Sequence, residues 1–162
     1  MNRLRFAALA VAAMACARPV PPPATDGTSP VRLRGLDFSA DLDVAPSPIR
    51  LAGQVRVTNR GTTPETLVFA DGCPVRLRVY EIQGARVAPV WEGPRVCAAE
   101  PFAVAIAPGE SATLPIPPTS AGEILGGDVP GAAYRVTLWL ALAPDERVIE
   151  IEAGEVDLTP SS

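Results

Sequence analysis

Apolar residues recur at every second position through most of the chain beyond residue 49. In "SPIRLAGQVRVTN", Ile49, Leu51, Val55 and Val57 share one side, with Arg50, Gln54 and Arg56 on the other. "ETLVFA" follows, and "CPVRLRVYEI" sets Cys73, Val75, Leu77 and Val79 against Arg76, Arg78 and Tyr80. "FAVAIA" repeats the pattern with Phe102, Val104 and Ile106, and "ATLPIP" with Leu114 and Ile116, whose neighbouring prolines demote it to an edge or bent strand. "AYRVTLWLAL" aligns Tyr134, Val136, Leu138, Leu140 and Leu142, and "ERVIEIEAGEVDL" closes the series. A period of two with one apolar side is the pattern of antiparallel strands that are half buried and half wet. About seven to nine such strands joined by short turns predict an all-β fold, an immunoglobulin-like antiparallel β-sandwich.

Local signals punctuate the strands. Ser120, three residues before Glu123, forms a capping-box pattern for one short helical turn, ended by Gly126-Gly127. "APGES", Ala107 to Ser111, places Pro and then Gly as a type II turn prefers, so Ser111 reads as a turn residue. The high content of Pro and Gly, 19 and 13, fits a turn-rich β domain.

The chain of 162 residues begins with "MNRLRFAALAVAAMAC", in which Arg3 and Arg5 precede an apolar run from Phe6 to Ala15. This is the anatomy of a bacterial secretory signal, expected over residues 1–15, and the run is too short to span a membrane comfortably. Two cleavage readings compete. Ala13-Met14-Ala15-Cys16 resembles a lipobox, which leaves Cys16 lipidated; small residues at Ala13 and Ala15 equally suit an ordinary signal peptidase, which releases a soluble periplasmic or secreted protein. Lipidation is the favoured expectation, making the product an exported, membrane-anchored envelope lipoprotein. Residues 16–30, "CARPVPPPATDGTSP", read as an extended Pro-rich tether, and residues 31–160 as the folded domain.

Export changes the meaning of the other two cysteines. In an oxidising compartment Cys73 and Cys97 form an even pair, and a structural disulfide is the favoured reading over two buried thiols. The bridge closes about 25 residues and is worth ~3–4 kcal/mol in the loop-entropy account. The chain contains no histidine. A cysteine or serine nucleophile therefore lacks its usual base, and a zinc site lacks its third and fourth ligands. No metal, cofactor or enzymatic activity is expected. The net charge of −4, with all 14 basic residues arginine, gives no footprint for nucleic acid.

The order of several segments resembles the BsuPI-type intracellular proteinase inhibitor family. They are "VRVTNRG" (Val55–Gly61), "TLVFADG" (Thr66–Gly72), "VRLRVY" (Val75–Tyr80), "APVWEG" (Ala88–Gly93), "IAPGES" (Ile106–Ser111) and "PGAAYRVT" (Pro130–Thr137). The likeness runs from about Ile49 to Leu142, and it implies an immunoglobulin-like sandwich that binds a protein, a protease among the candidates. Two features depart from that family: Cys73-Pro74 replaces a polar-aromatic stretch, and the chain carries an export signal and a cysteine pair.

Candidate contact residues are few. Trp91 matches the family's tryptophan and is expected at a sheet edge. Trp139 sits on the face opposite Tyr134 and Leu138; it either stands exposed beside arginine as a contact residue, or covers the second sheet face or lies under the terminal strand. The stretch from Gln83 to Ala99, which includes Cys97, is the longest candidate binding loop. Asp41 and Asp43 read as a solvated acidic turn rather than a calcium site, because no further oxygen ligands stand at the needed spacing. The expected function is an envelope-anchored, non-catalytic binding module; the alternative is an assembly accessory of the envelope without inhibitor activity.

Overall fold

Each apolar stripe becomes the inner face of one of two antiparallel sheets stacked face to face. The computed structural model describes residues 30–46, 49–82, 89–94, 96–126, 132–144 and 147–159. The expected leader, Cys16 and the tether as far as residue 29 lie outside the described residues. Within them run ten strands: β1 (Val31–Leu33), β2 (Leu36–Pro46), β3 (Ile49–Asn59), β4 (Glu65–Phe69), β5 (Arg76–Glu81), β6 (Trp91–Gly93), β7 (Phe102–Ile106), β8 (Ser111–Ser120), β9 (Ala133–Leu142) and β10 (Arg147–Asp157). One helix, α1 (Ala121–Leu125), follows β8.

The first sheet has the order β1-β2-β3-β8. The second is organised around β9, which pairs along its length with β10. The opposite edge of β9 pairs first with β5 and then, at Leu142, with Phe69 of β4. β6 continues outward from β5 and β7 from β4, so β6 and β7 lie end to end along one rim of this sheet. Phe38, Leu51, Val55 and Val57 of the first sheet and Leu77, Val136, Leu138 and Leu140 of the second are fully buried in a common core. Each such side chain contributes roughly 1.5–3 kcal/mol of transfer free energy.

The local signals act as the sequence implies. Ser120 caps α1 by accepting from the Glu123 amide at 3.2 Å, while Glu123 accepts from the Ser120 amide at 2.9 Å. Gly126, at φ 59°, ends the helix in the left-handed region. The Glu110 amide donates to Ala107 at 3.0 Å with Gly109 at φ 79°, closing a type II turn. β8 is an edge strand, as its prolines require.

Four elements differ from expectation. β1, β2 and β6 raise the strand number above the expected range. Asp41 and Asp43, read as an acidic turn, stand in the middle of β2 on its outer face, where Asp41 accepts from Gln54 Nε2 at 3.1 Å. In β10 the pairing with β9 shifts between Glu152 and Gly154, a bulge with Gly154 at φ 119° that bends the strand.

Candidate functional site

The rim of the second sheet that carries β6 gathers three of the expected site residues, Trp91, Cys73 and Cys97. Three cross-strand pairs attach β6 to β5: Leu77 with Gly93, Arg78 with Glu92 and Val79 with Trp91. Opposed residues share a face, so Trp91 follows Val79 inward and Glu92 follows Arg78 outward. Trp91 is half-buried against the core at its open side. Its ring folds over Gly93, where a β-carbon would stand 2.3 Å from the ring. A larger residue here would have to displace the ring.

The chain beyond β6 is stapled back. Cys73 and Cys97 are joined by a disulfide with their Cα atoms 5.5 Å apart. The Gly72 amide donates to Ala98 O at 2.9 Å, and the Cys73 amide to Asp71 Oδ1 at 2.9 Å. Arg76 pairs with Asp71 and directs Nη2 at Cys97 Sγ, 3.9 Å away. Asp71, Cys73 and Cys97 gather three potential ligand atoms, but both sulfurs are spent on each other.

Between this stapled segment and the end of the first sheet lies an open groove of about 680 Å³. Trp91, Pro94 and Val96 form one wall; Pro117, Pro118 and Ile124 form the other. Val96, next to the bridged Cys97, is 91% exposed. Glu123 is the ionisable group among the described residues lining the groove, and its carboxylate is engaged by Ser120. Those hydrogen bonds, from the Ser120 backbone and then its hydroxyl, lower its pKa below the ordinary value. The groove combines the apolar side chains of Trp91, Val96 and Ile124 with polar groups from Thr119 and Glu123.

Trp139 has no part in this surface. It lies on the outer face of the second sheet, yet only 7% of it is exposed, because Arg78 and Arg76 cover its ring at 4.2 and 5.4 Å. This corrects its reading as an exposed contact. Its buried Nε1 has no hydrogen-bond partner among the described residues. Arg78 also holds Glu92 at 2.7 Å and Glu150 at 3.2 Å, and Glu150 accepts from Tyr80 and Thr137 hydroxyls at 2.7 Å each. Partial burial disfavours the charged form of Glu150, but the two hydroxyls and Arg78 outweigh it and hold its pKa below the ordinary value. Burial and then the Glu150 carboxylate push the Tyr80 phenol up.

Asn59 is a structural centre that sequence reading passed over. Fully buried at the end of β3, it donates from Nδ2 to Thr63 O at 2.8 Å and Ile106 O at 2.9 Å, and accepts from the Gly61 amide at 2.8 Å. It ties the first sheet to the end of β7 in the second. An Asn followed by Arg-Gly after an alternating strand was the available signal.

No family model matches the sequence, and no curated protein matches it. Among solved structures it is similar to a β-glucosidase from Kluyveromyces marxianus in complex with glucose, at 20% identity and a TM-score of 0.39, over 74% of this chain and 14% of that one. It is also similar to a β-glucosidase from Listeria innocua in complex with glucose, at 15% identity and a TM-score of 0.37, over 74% of this chain and 16% of that one. The chain thus spans well under a fifth of the length of these enzymes.

Proposed function

We propose that this protein is a non-catalytic binding module of the bacterial cell envelope that offers the stapled segment around Val96 and the adjoining Trp91 groove to an extended segment of another protein. The observation that carries the reading is the exposure of Val96, 91% open to solvent one residue from the Cys97 bridge. Displaying an aliphatic side chain to water is unfavourable, and fixing it there lowers the entropy lost when a partner covers it. The resemblance to BsuPI-type inhibitors makes a protease the first partner to test, and the absence of histidine from the chain fits a role without catalysis. Lipid on Cys16, with residues 17–30 as tether, would hold the module at a membrane surface. No helix among the described residues is long and apolar enough to cross a membrane.

The test pairs inhibition with position-specific cross-linking. The exported chain is titrated against subtilisin-like proteases at micromolar concentration, beside Val96→Asp. A photo-reactive residue is placed in turn at 96 and at 155, on the distant β10, in the native host. Slowing that Val96→Asp abolishes, or a cross-link from 96 that 155 does not give, supports the reading. If no protease is slowed and the two positions cross-link alike, the groove is not a binding surface and the accessory alternative stands.

A further inference from the structure

A free sheet edge is a row of unpaired backbone groups, and this molecule blunts nearly all of its own. β1 and β6 are three residues each. β8 carries Pro115, Pro117 and Pro118. β10 bears Glu152 and Glu155 and is bent by the Gly154 bulge. β7 has none of these devices. Its five residues, Phe-Ala-Val-Ala-Ile, include no charge, proline or glycine, and one of its edges pairs with β4 while the other pairs with no strand among the described residues. Phe102 is 38% exposed, with one side of its ring against Phe69 at 5.8 Å.

The sequence of this edge is its own complement. Set antiparallel to itself about Val104, it places Phe102 opposite Ile106 and Ala103 opposite Ala105, large against large and small against small. Pro101 and Pro108 bound the ladder at both ends, as they must if pairing is confined to these residues. Glu100 falls opposite Pro108 and Glu110 opposite Ala98, so no two carboxylates are directly opposed. We propose that a second copy of this chain adds to the β7 edge, antiparallel about a twofold axis at Val104, joining the two six-stranded sheets into one continuous sheet. The contact is isologous, as in most homodimers. It rests on β7 alone and is argued independently of what the Trp91 groove binds.

A ladder of five residues per copy makes a small interface, under roughly 1,200 Å², so the dimer is of the weak class, with a Kd of about 10–100 µM. The experiment uses the exported full chain carrying Cys16→Ala, which removes the expected lipid attachment point and the one cysteine outside the disulfide. Sedimentation at about 200 µM is expected to show dimer, and Ala103→Lys with Ala105→Lys, both at exposed positions, to show monomer. Register is read separately with Ala103→Cys and Ala105→Cys. Directly opposed β-carbons lie ~4.5–5.5 Å apart and diagonal ones farther, so an equimolar mixture should oxidise to the mixed dimer about tenfold faster than either variant forms its own. A parent that sediments only as monomer, a folded lysine variant that still dimerises, or a mixture no faster than the single variants overturns the proposal. If circular dichroism shows the lysine variant unfolded, the cysteine mixture decides alone.

Discussion

The Arg78 guanidinium lies 4.2 Å from the centre of the Trp139 ring and reaches past it to Glu92 on one side and Glu150 on the other. A planar cation over an aromatic face, with its hydrogen bonds turned to carboxylates, closes the outer surface of the second sheet as a layer of its own.

That layer makes stability sensitive to acid. Glu150 has a folded-state pKa below the ordinary 4.5, so its contribution is fully present above that value and is lost as pH falls through the lower folded value. Glu150→Gln keeps the shape and an acceptor for the hydroxyls but cannot pair with Arg78. Thermal melting followed across the acid range should show a shallower loss of Tm below pH 4.5 in this variant than in the parent. Equal slopes would show that Glu150 does not set the acid limb.

Removing the bridge loosens the groove as well as the fold. The cysteines are 24 positions apart, a separation for which loop entropy gives ~3–4 kcal/mol. Cys73→Ser combined with Cys97→Ser should lower the unfolding free energy by about that amount in urea. Binding of any partner to the Val96 segment should weaken by more than stability alone accounts for, read by titration under conditions where the variant remains folded.

Gly93→Ala tests the seat of Trp91. The added methyl lies within the ring's van der Waals radius, so the indole must swing away, at an expected cost of about 1–3 kcal/mol. In a Trp139→Phe background, the fluorescence of the remaining tryptophan should shift toward that of a more solvated indole. An unchanged spectrum would place the ring elsewhere.

Asn59→Ala should be among the most destabilising single changes outside the apolar core. It leaves the Thr63 and Ile106 carbonyls and the Gly61 amide without their partner, and about 2–4 kcal/mol is expected from urea midpoints. Asn59→Asp replaces the Nδ2 donor with an acceptor facing two carbonyl oxygens, so it should be no milder.

The strands whose alternation was followed along the chain, from β3 to β10 apart from β6, are strands in the structure, because a half-buried sheet writes its period directly into sequence. β2 carries the same signal, with Leu36, Phe38, Ala40, Leu42 and Val44 at every second position. There the eye is drawn to Asp41 and Asp43 as a turn, although they are simply the wet side of the strand. β6 is three residues long and has no period to show. Trp91 and Trp139 look alike in sequence and end differently, since what covers each comes from elsewhere. Arginines of the neighbouring β5 close over one, while the other lines a groove completed by β8 and α1. Burial by a partner strand and exposure of Val96 depend on pairing across long separations, which local pattern does not encode.

The bulge at Gly154 sets how many hands each molecule can extend. Ala153 is the additional residue in β10, and it could be deleted while Ile151 and Val156 kept their sides, since Gly154 would then simply succeed Glu152 opposite β9. The strand would straighten, leaving Glu152 and Glu155 as the remaining guard of its outer rim. With a single receptive rim a molecule has a valence of one, and assembly halts at a pair. Were those carboxylates replaced by apolar residues as well, the valence would rise to two, and weak contacts at both rims would propagate into a filament.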